Sequence, residues 1–324
     1  MNPTRYTRRT ALASLGALLA SGPALAQEPW PARPIRMVVP FPPGGSSDIL
    51  GRLLAEQIGK ALNANVVVEN KPGGTTQIGT ELVATAQPDG YTMLLGASIA
   101  FTQLPNLRKL NFSLDSFEVL GGVADYMGVM AVKKALNIRD LRQFVEHAKK
   151  NPGKLSFGSA GEASAGHIYG ATLARDTGIQ VLHVPFRGSA DAANALVAGE
   201  IDFIIDGAIV PMAKAGRVDP LATFYSKRHP ALPNVPTVAE AGFDIAMTRG
   251  AGWALLVPKG TPANIVGRLS NALQQVLAQP AVHEALVRAN SLPAWQTGTE
   301  YRAAIAADRK MYADLLPAIG VRGS

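Results

Sequence analysis

The chain has 324 residues, enough for two domains with separate hydrophobic cores, and its net charge is +7. It contains no cysteine, which excludes disulfide bonds, thiol catalysis and thiolate metal ligands. The basic residues are spread along the chain and form no cluster of the kind that nucleic-acid binding requires, so a nucleic-acid partner is not expected.

The first 26 residues have the pattern of a secretory signal peptide. Arg5, Arg8 and Arg9 precede a short apolar stretch, and Ala24-Leu25-Ala26 matches the A-x-A cleavage pattern. The apolar stretch is too short to cross a bilayer as a helix. We therefore expect cleavage after Ala26 and export by the Sec route or, given the paired arginines, by the twin-arginine route.

The first part of the remaining chain alternates strand and helix patterns. Apolar runs predict buried strands, and apolar residues at helical spacing predict helices between them. The predicted elements are a strand at 35–39, a helix at 49–62, a strand at 66–68, a helix at 77–86 and a strand at 91–95. This β-α-β-α-β order is typical of a parallel sheet flanked by helices.

The middle of the chain repeats this alternation, and the end is helical. The predicted helices are 139–150, 167–175, 190–198, 262–278, 281–289 and 299–316, and the predicted strands are 155–157, 181–184, 203–205, 221–224 and 252–257. Further strand pattern near 119–132 and near 247–257 lies between the two α/β units. The simplest arrangement has the chain cross from one unit to the other and return, with a hinge at the two crossings.

We therefore expect a signal peptide at 1–26 and two α/β domains. Domain 1 is expected to be discontinuous, with residues 27–125 plus 250–324, and domain 2 to comprise residues 126–249.

The glycine-rich turn at 41–48 is the first candidate site. Gly44 and Gly45 permit close backbone approach, and the N–H groups of the following helix attract an anion such as a carboxylate. A helix cap without a ligand explains the same residues. The turn matches neither GxGxxG nor the P-loop, which argues against nucleotide binding.

A second turn, at 158–167, also joins a strand to a helix and is rich in small residues. Ser164 and His167 are three residues apart, a spacing that brings a hydroxyl and an imidazole together on one helical turn as in a serine hydrolase, but no G-x-S-x-G pattern surrounds either serine of the turn. A structural pair at a helix start is the other interpretation. The five histidines show no HxxxH or HExxH spacing, so no metal site and no cofactor are expected.

Two strand-end residues are further candidates. Arg187 follows a strand and can pair with an anionic ligand or remain a solvated loop residue. Asp206 ends the apolar run 203–205 and can bind a ligand amine or hydroxyl, or cap the next helix.

Several stretches together resemble the Bug family, the extracytoplasmic solute receptors of tripartite tricarboxylate transporters. The resemblance covers nearly the whole chain after residue 26, in order, and is carried by the stretches 34–48, 67–74, 88–92, 152–155, 183–188 and 232–242.

The resemblance implies a periplasmic protein with a periplasmic-binding-protein type II-like fold, in which two α/β domains with parallel-rich sheets enclose a ligand cleft. It implies a small organic carboxylate as ligand and no catalysis. The turn at 41–48 would hold one carboxylate, and the turn at 159–164 another part of the ligand. The expected binding residues are Phe41, Pro43, Gly44, Gly45, Ser46, Ser47, Asp48, Thr75, Thr76, Ser98, Ser159, Gly161, Ser164, His167, Arg187 and Asp206.

Two departures from the family pattern bear on the ligand. Ala163 replaces a glycine of the second turn, and its Cβ disfavours a positive φ. The segment 97–110 is short and carries Phe101. Both features suggest a cleft altered to prefer a different acid, such as an aromatic or bulkier one.

The leading interpretation is a monomeric receptor that delivers its ligand to membrane permease subunits. One alternative is a ligand sensor that presents its closed form to a membrane signalling partner. A secreted serine hydrolase using Ser164 and His167 is the alternative from another class.

Overall fold

Buried apolar strands form two sheets. The structure, a computed structural model, describes residues 30–245, 252–288 and 291–321. The predicted signal peptide at 1–26 lies outside the described residues. Residues 30–32 belong to a separate N-terminal unit and form a bend with a cis peptide bond between Trp30 and Pro31. All elements below lie in the unit Arg33–Ser324.

Eleven strands are present in the part of the chain that the structure describes. They are β1 (Ile35–Val39), β2 (Val66–Asn70), β3 (Thr92–Ala97), β4 (Phe117–Tyr126), β5 (Gly128–Lys133), β6 (Leu155–Ser159), β7 (Val181–Pro185), β8 (Phe203–Ile205), β9 (Val218–Phe224), β10 (Trp253–Pro258) and β11 (Ser291–Gln296).

Eleven α-helices are described in the same ranges. They are α1 (Ser46–Leu62), α2 (Gln77–Ala84), α3 (Ile99–Thr102), α4 (Leu104–Leu107), α5 (Leu141–Lys150), α6 (Ala165–Thr177), α7 (Ser189–Ala198), α8 (Val210–Lys214), α9 (Ala263–Leu277), α10 (Pro280–Arg288) and α11 (Gly298–Ala318). Short 3-10 helices cover Leu114–Ser116, Lys134–Leu136 and Gly207–Ile209.

The first sheet has six strands in the order β11-β4-β10-β3-β1-β2. β1 pairs in parallel with both β2 and β3, and the remaining pairs are antiparallel. Four of the five β1 residues are buried, which matches a strand covered by helices on both faces of a sheet.

The second sheet has five strands in the order β7-β6-β8-β5-β9. β6 pairs in parallel with β7 and β8, whereas β5 runs antiparallel to β8 and β9. In both sheets the antiparallel pairs come from strands next to the crossings. The predicted α/β class with parallel strands is therefore confirmed.

The chain crosses between the sheets where the sequence pattern predicted it. Met127 alone separates β4 of the first sheet from β5 of the second. The return runs from β9 to β10 through residues 225–252, of which 246–251 lie outside the described residues. The proposed boundaries of two domains stay a prediction.

Each sheet has its own apolar core. Val38, Leu94, Phe117 and Leu256 are fully buried beside the first sheet, and an equivalent cluster packs α7 and α8 against the second. Burial of one such side chain contributes about 1.5–3 kcal/mol. Of the described helices, none combines the length and the apolar character needed to span a bilayer.

Candidate functional site

A cavity of about 500 Å³ lies where strands of both sheets end. Its wall comes from the turns that follow β1, β2, β6 and β7, and from the crossing strands. Ligand sites in open α/β sheets form at the carboxyl ends of strands, and a volume of this size suits a small molecule.

Three helices begin at this cavity: α1, α6 and α7. Their first residues, Ser46 and Ser47, Ala165 and Gly166, and Ser189 to Asp191, all line the wall. The N–H groups of these residues have no backbone or side-chain acceptor among the described residues. Unpaired N–H groups and the positive ends of three helix dipoles thus surround one space, which favours an anion.

Asp48 stabilises the turn before α1 by hydrogen bonds and does not itself line the cavity. Its carboxylate accepts hydrogen bonds from the Gly44 N–H at 2.9 Å and the Asn70 amide at 3.0 Å, and it pairs with Arg52. Burial alone would raise the pKa of Asp48, but these bonds together lower it. Gly44 has a φ of 84°, which explains why a glycine is needed there.

The turn before α2 contains two β-branched residues with positive φ. Thr75 has a φ of 53° and Thr76 a φ of 80°, and both line the cavity. Such backbone conformations are strained for a β-branched side chain. The Thr75 hydroxyl donates to the Glu162 carbonyl at 3.2 Å, which links this turn to the turn before α6. The Thr76 hydroxyl is buried and has no partner among the described residues.

The turn before α6 is supported by two histidines. The Ser159 hydroxyl lies 2.7 Å from Nε2 of His183, and the Ala163 N–H donates to Nδ1 of His167 at 3.0 Å. Burial lowers the pKa of both imidazoles, that of His183 to about 4, where the neighbouring His167 adds to the effect.

The Ser164–His167 pair of the hydrolase interpretation is not assembled as a nucleophile and base. Ser164 caps α6, and its hydroxyl accepts the backbone N–H of His167 at 3.4 Å. Nδ1 of His167 is occupied by the Ala163 N–H. The arrangement gives the hydrolase alternative no support.

The far wall combines aromatic rings with a buried acid. Trp253 and Tyr126 lie edge to face at 6.0 Å, and the Trp253 indole N–H donates to the Ser47 hydroxyl at 3.2 Å. Asp206 accepts the Ser189 hydroxyl at 2.7 Å and the Ala208 N–H at 2.8 Å. Burial raises the pKa of Asp206 against the opposing effect of these bonds. Arg187 is exposed at the rim and has no ion pair among the described residues.

Most predicted binding residues do meet at this cavity. The wall includes Phe41, Pro43, Gly45, Ser46, Ser47, Thr75, Thr76, Gly161, Ser164, Arg187 and Asp206. Gly44, Asp48, Ser98, Ser159 and His167 lie outside the wall. Of these, Asp48, Ser159 and His167 hold turns in place, and Ser98 is buried, with its N–H bonded to the Gly252 carbonyl.

Three residues of the wall, Tyr126, Trp253 and Ser189, are not predicted by the sequence pattern. The two aromatic residues belong to the crossing strands, and only the pairing of β4 with β10 brings them together. Ser189 follows Gly188 at the start of α7, where a small polar residue at a helix start was the available signal.

The two departures from the family pattern, Phe101 and Ala163, do not change the cavity in the way that the sequence predicted. Phe101 is 3% exposed, packs edge to face on Phe112 and Phe117, and does not line the cavity, whereas Ala97 and Ile99 of the same segment do. Ala163 has a φ of 57° despite its Cβ. Its methyl group is buried in an apolar cluster that includes Leu107 and Tyr312, and its N–H is bonded to His167, which together account for the strained conformation.

Comparisons with known proteins agree with this architecture. A family described as "Tripartite tricarboxylate transporter family receptor" matches residues 50–320. Protein BugT of Bordetella pertussis is 30% identical over 332 residues, covering 99% of each chain. A UPF0065 protein in the tcbD-tcbE intergenic region of Pseudomonas sp. strain P51 is 36% identical over 288 residues, covering 86% of this chain and 84% of the relative.

Two solved structures extend the comparison. The periplasmic binding protein BugD has a TM-score of 0.83 at 33% identity, covering 91% of this chain and all of its own. R. palustris Rpa4515 with adipate has a TM-score of 0.86 at 26% identity, with the same coverage. The resemblance noted in the sequence is thereby confirmed, and the chain belongs to the tripartite tricarboxylate transporter family of receptors, as a Bug-type member.

Proposed function

We propose that this protein is a periplasmic solute-binding receptor that captures a small organic carboxylate in the cavity and delivers it to a tripartite tricarboxylate-type membrane transporter. The observation that carries the proposal is the convergence of three helix N-termini, with unpaired N–H groups, on one cavity. Relatives support the ligand class, since Rpa4515 was solved with adipate and MatC of Rhodopseudomonas palustris with bound malate.

The proposed roles follow from position. Backbone N–H groups at the starts of α1 and α6 donate hydrogen bonds to the carboxylate oxygens of the ligand, and Arg187 at the rim adds a positive charge. Phe41, Tyr126 and Trp253 supply the aromatic part of the wall, which supports a ligand with an aromatic or bulky body. Asp48, Ser159 and His167 act as positioning residues for the two anion-binding turns.

Closure of the cleft is part of the same proposal. The two sheets act as two domains that hinge at the crossings near Met127 and near residues 225–245. The bond from Thr75 to the Glu162 carbonyl joins the two sides of the cleft and supports a closed form. Binding of ligand between the sides stabilises that form and excludes water from the carboxylate.

A ligand screen tests the function. Thermal unfolding is measured with adipate, malate, citrate, benzoate and phthalate, and with uncharged amides of the same acids as matched controls. A bound carboxylate raises the unfolding midpoint in proportion to the logarithm of its concentration, whereas its amide does not. No shift with any carboxylate would overturn the ligand class. Uptake of the bound acid by cells with and without the receptor tests delivery.

A further inference from the structure

Glu162, His167 and His183 form a cluster behind the turn that precedes α6. The Glu162 carboxylate lies 3.3 Å from Nδ1 of His167 and 3.5 Å from Nδ1 of His183. The two imidazole rings stack at a centroid distance of 3.7 Å with an interplanar angle of 8°. The residues come from a loop, a helix and a strand, which is why sequence spacing gave no metal-binding signal.

Two acceptors face each other in the cluster, Nδ1 of His167 and the Glu162 carboxylate. Nδ1 of His167 receives the Ala163 N–H, so it carries no proton of its own towards Glu162. One Glu162 oxygen therefore faces a nitrogen lone pair at 3.3 Å. Neutral imidazole and ionised carboxylate are the forms in which these side chains bind metal ions.

The donor spacing agrees with a first coordination shell. Tetrahedral zinc with bonds of about 2.0–2.1 Å separates neighbouring ligand atoms by about 3.4 Å. The distances from Nδ1 of His167 to Glu162 Oε2 and from Nδ1 of His183 to Glu162 Oε1 lie on either side of that value, so each imidazole is spaced for coordination with one carboxylate oxygen. The histidine side chains are 11% and 15% exposed and Glu162 is 66% exposed, so an ion enters from the Glu162 side and keeps a position for water.

Ion binding requires a defined local change. A single ion cannot lie in the planes of two parallel rings, so the stacked imidazoles must rotate apart. His167 must also exchange its hydrogen bond from Ala163 for a metal bond, and one neutral hydrogen bond is a small loss beside a metal–ligand bond. The exchange releases Ala163, and so affects the turn that contributes Gly161 and Ser164 to the cavity wall.

We propose that Glu162, His167 and His183 bind a divalent transition-metal ion of the zinc type beside the ligand cavity, with water completing the shell. Two imidazoles and one carboxylate are a donor set that suits zinc. The site is distinct from the cavity, and its occupancy changes the turn that receives the ligand.

The test is a titration of the untagged, metal-free protein with zinc chloride, followed by calorimetry. Cobalt chloride is used in parallel, because its visible absorption reports the coordination geometry. Glu162→Gln and His183→Gln remove one ligand each, and far-ultraviolet circular dichroism verifies that both variants fold. His283→Gln is the matched control, since His283 is exposed on α10 and distant in sequence from the cluster.

The proposal expects one zinc per chain in the wild type and in His283→Gln. It expects affinity at least about tenfold weaker in each of the two cluster variants, since even partners outside the shell change affinity by that factor. Cobalt should give a tetrahedral spectrum that Glu162→Gln abolishes. Absence of binding, or equal affinity in wild type and Glu162→Gln, would overturn the site without bearing on carboxylate capture.

Discussion

Thr76 is a suitable residue to substitute, because its backbone conformation is strained and its buried hydroxyl has no partner among the described residues. It is the first residue before α2, has a φ of 80°, and is 1% exposed in the cavity wall. Its carbonyl accepts both the N–H and the hydroxyl of Thr80, so the backbone of the turn is bonded while the Thr76 hydroxyl has no partner among the described residues. Thr76→Gly should stabilise the free protein and weaken ligand binding.

The magnitude follows from four opposing effects. Glycine relieves a left-handed conformation that costs roughly 1–2 kcal/mol for an ordinary residue. It also removes a buried hydroxyl that lacks a partner, which costs about 1 kcal/mol or more. Against this, glycine costs about 0.5–1 kcal/mol in backbone entropy, and the lost methyl group about 0.8 kcal/mol. The net gain in unfolding free energy is about 1 kcal/mol, or roughly 2 °C in the midpoint.

Denaturant unfolding without ligand measures the stability, and calorimetry with the best carboxylate measures the affinity. Thr85→Gly is the matched control, because Thr85 caps the other end of α2 with a φ of −103°. Its backbone therefore lies outside the strained left-handed region. It should lose about 0.5–1 kcal/mol and keep its affinity. If Thr76→Gly is destabilised as much as Thr85→Gly, or binds ligand as the wild type does, the link between strain and binding is refuted.

Three further predictions concern the turns, the pH dependence and the rim. Asp48→Asn should lower the free energy of unfolding at pH 7 by about 2 kcal/mol, measured with denaturant, and equal stability of the two proteins at pH 7 would contradict this. Because the folded-state pKa of Asp48 is lowered, acid below the ordinary pKa of 3.8 should also destabilise the wild type more than the variant. Burial, with a smaller effect of a nearby lysine, lowers the pKa of His229 to about 4, so this residue binds more protons in the unfolded chain between pH 6.5 and 4. The contribution of His229 to the free energy of unfolding should fall by about 3 kcal/mol as the pH falls across that window, in addition to the contribution of His183, whose pKa is lowered to the same value. His229→Gln should reduce the pH dependence by this amount in buffer with a chelator and His283→Gln should not; an unchanged pH dependence in the first would show that other groups are responsible. Arg187→Gln should weaken carboxylate binding about tenfold, measured by calorimetry. Arg217→Gln is the control, because Arg217 is also exposed, and it should leave the affinity unchanged. Equal affinity of the two variants would show that Arg187 is not part of the site.

Local patterns predicted the elements that carry the cavity. The apolar runs at β1 and β6 and the small-residue turns after them are encoded within a few residues, and the structure has strand, turn and helix at each. Helix starts that follow parallel strands meet at the same edge of a sheet, so the anion-binding turns could be expected to face one cleft.

Features that depend on distant pairing could not be predicted in this way. β11 contains Pro293 and pairs only at the sheet edge beside β4, where a proline is tolerated, so its sequence gives little strand signal. The contact of Tyr126 with Trp253 needs the register of β4 and β10. Ala163 keeps a left-handed conformation within an apolar cluster that also contains residues of α11, which propensity alone does not reveal.

The central claim is that helix N-termini of both sheets hold a carboxylate in one cavity. The most direct measurement is a crystal structure of the protein grown with the tightest carboxylate from the ligand screen. We expect carboxylate oxygens about 2.7–3.2 Å from the backbone nitrogens at the starts of α1 and α6, directly or through one water, with the body of the ligand against Tyr126 and Trp253. A ligand bound elsewhere, or bound in the cavity with its carboxylate directed away from all three helix starts, would contradict the account.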